Sequence, residues 1–166
     1  MKIIQAQTEH LDTVRTLFQE YQSDVNQGGN CECFEGFEDE LASLPGNYSK
    51  PKGIIYLAFA SEDYSKSTNA IGCIAIRPRD GKPKEAEIKR LYVRANKRGS
   101  GAGQHLLNNV FMFAKMNKYS ALFLETTATM QAAKSLYDSY GFEQAKSNNS
   151  NIECYQYAFK QDEKKK

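Results

Sequence analysis

No apolar run in this 166-residue chain approaches membrane-spanning length, so a transmembrane segment is not expected. The opening residues Met1-Lys2-Ile3-Ile4-Gln5 lack the apolar stretch of a secretory signal, which points to the cytoplasm. Charge of one sign is also scarce: 22 Lys and Arg stand against 20 Asp and Glu, a formal +2, too small an excess to imply nucleic acid as a partner. What basic excess there is lies at 77–84, at 89–98 and in the tail. Histidine and cysteine are few, two and four. Cys31-x-Cys33 is the one close pair, and Cys73, Cys154, His10 and His105 show no paired spacing, so no metal is expected and Cys31 and Cys33 read as loop thiols. His105, in the first turn of a helix, reads as a surface or packing residue. No Pro/Gly/Ser-rich linker interrupts the chain. With 40% apolar and 25% charged residues it reads as one globular domain over 1–160 and a charged, disordered tail over 161–166.

What is present is a clear alternation of periods. Ile3-Ile4 suggests a short strand, and Thr8 is a candidate N-cap for a helix with Leu11, Val14, Leu17, Phe18, Tyr21 and Val25 on one face. Residues 26–30 break it, and Phe34, Phe37, Leu41 and Leu44 mark a second short helix stopped by Pro45-Gly46. Residues 54–60 and 70–76 then read as antiparallel strands, Pro78, Asp80-Gly81 and Pro83 as a turn, and 86–94 as a third strand. In that third strand Ala86 and Ile88 share one parity while Leu91 and Val93 share the other. Either a bulge near Lys89-Arg90 restores a single apolar face, or the strand is buried on both faces. Downstream, Leu106, Leu107, Val110, Phe113 and Ala114 line a helix, Leu122-Phe123-Leu124 a short strand, and Met130, Ala133, Leu136, Tyr137 and Tyr140 another helix closed by Gly141. Phe142-Glu143 and 153–159 form a final strand pair about a turn at 147–151. The sum is an α+β domain, a mixed sheet with helices on both faces.

The most informative segment is the junction Lys89 to Gly103. A strand runs into a basic loop in which Gly99, Gly101 and Gly103 alternate, and the loop opens a helix. Such a junction holds a phosphate with backbone N–H groups and the positive end of the helix dipole, with Lys97 and Arg98 adding full charges. A P-loop is excluded because Gln104-His105, not Lys-Ser/Thr, follows the last glycine. A dinucleotide fingerprint fits poorly, since the spacing is G-x-G-x-G after a charged spacer, although Glu125 sits where a ribose-binding acid would.

The segments Ala86 to Val93, Arg98-Gly99-Ser100-Gly101-Ala102-Gly103 and Leu136-Tyr137-Asp138-Ser139-Tyr140-Gly141-Phe142 together resemble the GNAT superfamily of acyl-CoA-dependent N-acyltransferases, over almost the full chain. Arg98, Gly101 and Gly103 match the Arg/Gln-x-x-Gly-x-Gly/Ala signature, and Leu-Tyr-x-x-x-Gly-Phe matches the second motif. Residues 40–46 and 124–126 look like a small bacterial-type branch. The resemblance implies the GNAT fold, a single mixed and mostly antiparallel sheet with a splayed, bulged central strand pair. It also implies acetyl-CoA as cosubstrate and no metal, with the pyrophosphate on Arg98, Gly99, Ser100, Gly101, Ala102 and Gly103 and the pantetheine arm along Leu91, Tyr92 and Val93. Tyr137 aligns with the acid serving the thiol, and Glu87 with a general base of some members; their other readings are a core aromatic and a solvated ion pair. Many relatives carry Asn near the start of the second motif's helix, where this chain has Met130.

The implied activity is transfer of an acetyl group from acetyl-CoA to a primary amine by direct attack, since no motif cysteine asks for a covalent intermediate. A non-catalytic acyl-CoA-binding regulatory domain and a dinucleotide-binding oxidoreductase are the alternatives. For the acceptor, Glu20, Asp24, Glu32 and Glu35 would suit a cationic small amine. Amino acid, polyamine, antibiotic and protein amine stay open, as does a homodimer.

Overall fold

The computed structural model describes residues 1–27 and 34–160; Cys31, Cys33, Glu32 and the expected tail lie outside them. One seven-stranded sheet runs in the order β1-β2-β3-β4-β5-β7-β6. Its strands are β1 (Lys2–Gln5), β2 (Ile54–Phe59), β3 (Ala70–Arg79), β4 (Lys82–Val93), β5 (Ala121–Thr127), β6 (Glu143–Ala145) and β7 (Ile152–Ala158). All neighbours are antiparallel except β4 and β5. The helices α1 (Leu11–Asn26) and α2 (Phe37–Ser43) cover one face, and α3 (Ala102–Met116) and α4 (Gln131–Ser139) the other.

Strand alternation supplies both cores. Ile54, Ala58, Ile74, Ile76, Ala86, Ile88, Leu122 and Leu124 pack with Leu106, Leu107 and Val110 of α3, whereas Ile55, Leu57, Phe59, Cys73, Ala75 and Tyr92 pack with Val14, Leu17 and Phe18 of α1. Both faces of the central strands are therefore buried, which is why β2 and β3 read as continuous apolar runs. Some local expectations shift. Thr8 does not cap α1: it opens a 3₁₀ turn, Thr8–His10, in which His10 Nδ1 accepts a bond from the Gln7 N–H at 3.0 Å. Pro78 and Pro83 belong to strands rather than to the turn, each beyond the stretch that pairs with a second neighbour, so neither missing N–H breaks a ladder on both sides.

The parity conflict in β4 is resolved by a bulge. Cys73 pairs with Tyr92 and Ala75 with Lys89, so one β3 residue faces two on β4, and Arg90 takes a left-handed φ of 60°. Leu91 and Val93 thereby join Ala86 and Ile88 against the α3 side. The extra residue has a second effect: Lys89 and Arg90, adjacent in sequence, both line a cleft on the α2 side.

Candidate active site

Strands β4 and β5 start as partners and then part. Pairing runs from Glu85–Ile88 against Ala121–Leu124 and stops there, although β4 continues to Val93 and β5 to Thr127. Beyond the bulge, β4 keeps its ladder to β3 on one side and has no β5 partner on the other, which leaves that backbone edge open for a ligand to pair with.

A cleft of about 580 Å³ lies along this edge, lined by Leu91, Tyr92, Val93, Lys97, Arg98, Gly99, Gly101, Ala102, Gly103 and Gln104 and, from the α4 side, by residues including Met130, Ala133 and Leu136. Of the cofactor residues expected from sequence, only Ser100 is not in its wall; its hydroxyl turns back to the Lys97 carbonyl at 2.7 Å. The glycines are there for two different reasons. Gly101, the residue before α3, has φ 84°, a conformation that a side chain strains. Gly103 is helical, but a Cβ there would lie 3.3 Å from Leu136 Cδ2, so its absence lets α4 close on the first turn of α3. That turn presents N–H groups with no intrahelical acceptor. The cleft thus has a cationic, N–H-rich end at the loop and an apolar wall along α4. Arg98 stands at its mouth, donating from Nε to the Val93 carbonyl at 3.0 Å and from Nη2 to Asp24 at 2.7 Å.

Tyr140, just after α4, lies outside the lining of this cleft and donates to the Gln104 carbonyl at 3.1 Å. Ala133 and Leu136 of α4 are half-buried, because they pack on the core and also border the cleft. Tyr137 is the exception. It is 5% exposed and packs on Phe142 and Tyr155, and burial pushes its phenol well above the ordinary value, the Tyr21 phenol adding to the effect. Among the described residues its hydroxyl has no hydrogen-bond partner, and no fully buried side-chain oxygen is left unpaired, so the hydroxyl is not wholly enclosed, although Tyr137 lines neither the glycine-loop cleft nor the gap between β4 and β5. Tyr21 reaches the same region from the opposite face of the sheet. Its ring packs on Phe34 and Tyr92, its phenol is likewise raised by burial with Arg90 opposing, and it lines the gap between the parted strands with Ile88, Lys89, Arg90, Glu125, Thr126 and Thr127.

Glu87 is buried and lies in neither the glycine-loop cleft nor the gap. Its Oε2 accepts from Arg77 Nε and Nη2 at 3.0 and 2.9 Å, and Lys89 Nζ stands 3.6 Å from Oε1. Arg77 thus occupies Oε2, while Oε1 accepts no hydrogen bond among the described residues and faces the Lys89 ammonium. Glu125 differs: it is half-buried at the gap and has no hydrogen bond or ion pair among the described residues. In sequence its signals were its distance from the glycine loop and its place in the 124–126 segment. Of the acids expected to attract a cationic acceptor, Glu20 and Asp24 are taken by Arg94 and Arg98, Glu35 is exposed and Glu32 is outside the described residues.

A second cleft, of about 370 Å³, lies on the α2 side of the bulge, lined by residues including Asp39, Glu40, Tyr48, Arg77, Lys89 and Arg90. Arg90 donates to Glu40 Oε2 at 3.0 Å and lies over the rings of Phe34 and Phe37. The Tyr48 hydroxyl also donates to Glu40.

Comparison with known proteins gives one consistent family. The profile of the Acetyltransferase (GNAT) family matches residues 12–142. An uncharacterized N-acetyltransferase of Schizosaccharomyces pombe is 34% identical over 134 residues, 81% of this chain and 77% of that protein. The N-acetylaspartate synthetase of Danio rerio is 32% identical over 103 residues, 62% of this chain; the match spans only 34% of that longer protein. Among solved structures, the PaiA N-acetyltransferase of Thermoplasma acidophilum in complex with coenzyme A superposes with a TM-score of 0.73 at 19% identity, covering 96% of this chain and all of the other.

Proposed function

Because this chain belongs to the GNAT acetyltransferase family and is an acetyl-CoA-dependent N-acetyltransferase, its two clefts need a donor and an acceptor, and we propose that acetyl-CoA lies in the glycine-loop cleft and a primary amine enters from the α2 side. The observation that carries this assignment is the broken β4–β5 pairing beside a cleft whose one end is cationic and whose wall is apolar. The residues suit the donor: the amides at 99–104 with Lys97 and Arg98 fit a pyrophosphate, and the open β4 edge at Leu91 to Val93 fits the amides of a pantetheine arm. Met130 stands at the start of α4 where many relatives have Asn, so on this reading the arm meets an apolar wall there.

The gap between the parted strands shares Lys89 and Arg90 with the α2-side cleft and ends on β4 one residue before Leu91 of the glycine-loop cleft, so the reaction is assigned there. In the reaction the amine nitrogen bonds to the thioester carbon, the carbon–sulfur bond breaks, the amine loses a proton and the thiolate gains one. Tyr137 supplies the second proton or a hydrogen bond: burial keeps its phenol protonated and its hydroxyl has no competing partner. For the first proton the sequence points to Glu87. The unpaired carboxylate at the gap is Glu125, and we assign it the proton, directly or through water, with Glu87 holding Arg77 and Lys89 in place. Amino acids, polyamines, antibiotics and protein amines are the acceptors to test, and the name of the N-acetylaspartate synthetase relative puts an amino acid among them.

A screen of these amines with acetyl-CoA, scored by thiol release, tests the reading. Release that depends on an amine is expected. Tight acetyl-CoA binding with no release for any amine would favour a regulatory acyl-CoA-binding domain instead.

A further inference from the structure

At the cleft on the α2 side three largely buried cations are paired with two largely buried carboxylates, and one of the cations is poorly satisfied. Arg77, Lys89 and Arg90 line it with Glu40, while Glu87, outside the lining, pairs with Arg77 and Lys89, and none of the five side chains is more than 22% exposed. Two of the cations are satisfied: Arg77 by two bonds to Glu87, and Arg90 by Glu40 and two aromatic faces. Lys89 is not. Its ammonium carries three donors, its side chain is 15% exposed, its nearest carboxylate oxygen is 3.6 Å away, and it makes no hydrogen bond among the described residues. A largely buried ammonium left in that state is costly unless something completes its coordination. The remaining acids of the wall, Glu35 and Asp39, are exposed on the rim, where water screens them.

Lys89 also lines the gap between β4 and β5, so the unsatisfied charge sits beside the place where the amine must react. We propose that Lys89, backed by Arg77, binds a carboxylate of the acceptor, and that the acceptor is a small amino acid whose amine lies only one or two carbons from that carboxylate. This rests on the assignment of the two clefts above. The bulge is what makes the site: with a regular strand, Lys89 and Arg90 would point to opposite faces, and only one of them would reach this cleft. A polyamine or aminoglycoside would offer Lys89 no carboxylate and would bring further cations beside it.

The test compares each of the common amino acids with its own amide, at saturating acetyl-CoA, on the full chain. The amide keeps the amine and the side chain, removes the carboxylate and has the less basic amine, so a drop in its rate cannot come from protonation. For at least one amino acid, kcat/KM should exceed that of its amide by at least about tenfold. Lys89→Gln should raise KM for the acid far more than for the amide, and Lys89→Arg should recover part of the preference. Equal use of acid and amide, a preference for polyamines, an equal loss for both in Lys89→Gln, or binding of acetyl-CoA without turnover of any amino acid would each overturn the inference. Calorimetric titration with acetyl-CoA alone separates this failure from that of the donor assignment, because it reads the glycine-loop cleft without the acceptor.

Discussion

Arg98 and Asp24 meet at 2.7 Å across the mouth of the glycine-loop cleft. The cation best placed to meet a pyrophosphate is therefore already held by a carboxylate, and a phosphate must either share it or take it. The pair is part-exposed, with side-chain accessibilities of 46% and 29%, so its hold is modest. Asp24→Asn should release Arg98, remove a repelling charge and tighten acetyl-CoA binding by about two- to fivefold, as expected for an exposed pair. Titration calorimetry at two salt concentrations checks this; weaker binding would mean that Asp24 positions Arg98 rather than competing for it.

Gly101→Val places a branched side chain at a φ of 84° beside the first amides of α3. We expect a lower melting temperature, since a β-branched residue is strained there by at least about 1–2 kcal/mol. Acetyl-CoA affinity should fall at least about tenfold, because the N–H groups no longer converge. A folded variant with unchanged affinity would remove the loop from the donor site.

Tyr137→Phe keeps the ring against Phe142 and Tyr155 and deletes one hydroxyl. The expected result is a fall in kcat of about 10- to 10⁴-fold with acetyl-CoA affinity nearly intact. Full activity would return Tyr137 to the core. The same variant bears on stability. Tyr137, Tyr48 and Cys73 all have folded pKa values raised above their unfolded ones, chiefly by burial. Their neutral forms are favoured in the fold, so no stability is lost below the unfolded values. It declines as pH rises past about 8.5–10, where the unfolded chain begins to ionise. Melting curves from pH 7 to 11 should show that alkaline loss, less steep in Tyr137→Phe.

The two carboxylates separate by pH profile. Glu125→Gln should lower kcat/KM most at acidic and neutral pH and recover as free amine accumulates, changing the shape of the acidic limb. Glu87→Gln should leave that shape alone while weakening the hold on Arg77 and Lys89, which would appear as a raised acceptor KM. Superimposable profiles for Glu125→Gln would take it out of the proton path.

Much of this was legible in sequence for identifiable reasons. The parity clash of Ala86 and Ile88 with Leu91 and Val93 left a bulge or a strand buried on both faces, because side-chain period in a strand is two, and the register shift shows the bulge. The glycine spacing announced the loop, because Gly101 needs a conformation that side chains resist. Other features were hidden by ambiguity of pattern. Tyr21 has the spacing of a core residue on α1, yet it is half-buried against that core and also lines the gap. Ala133 and Leu136 have helical apolar spacing whether they face a core or a cleft. Glu20 and Asp24 looked free because Arg94 and Arg98 lie more than 70 residues away in sequence, and long-range ion pairs leave no local trace. Glu125 and the isolation of Lys89 depend on which strands part and where, which no window of sequence contains.

The donor is expected to pair with β4 where β5 has left it. Amide hydrogen exchange, with and without acetyl-CoA, reads that edge directly. Exchange should slow at Leu91–Val93 and at 99–104 when acetyl-CoA is added, with Ile54–Phe59 unchanged. Slowing confined to other segments, or none at the β4 edge despite measurable binding, would contradict the account.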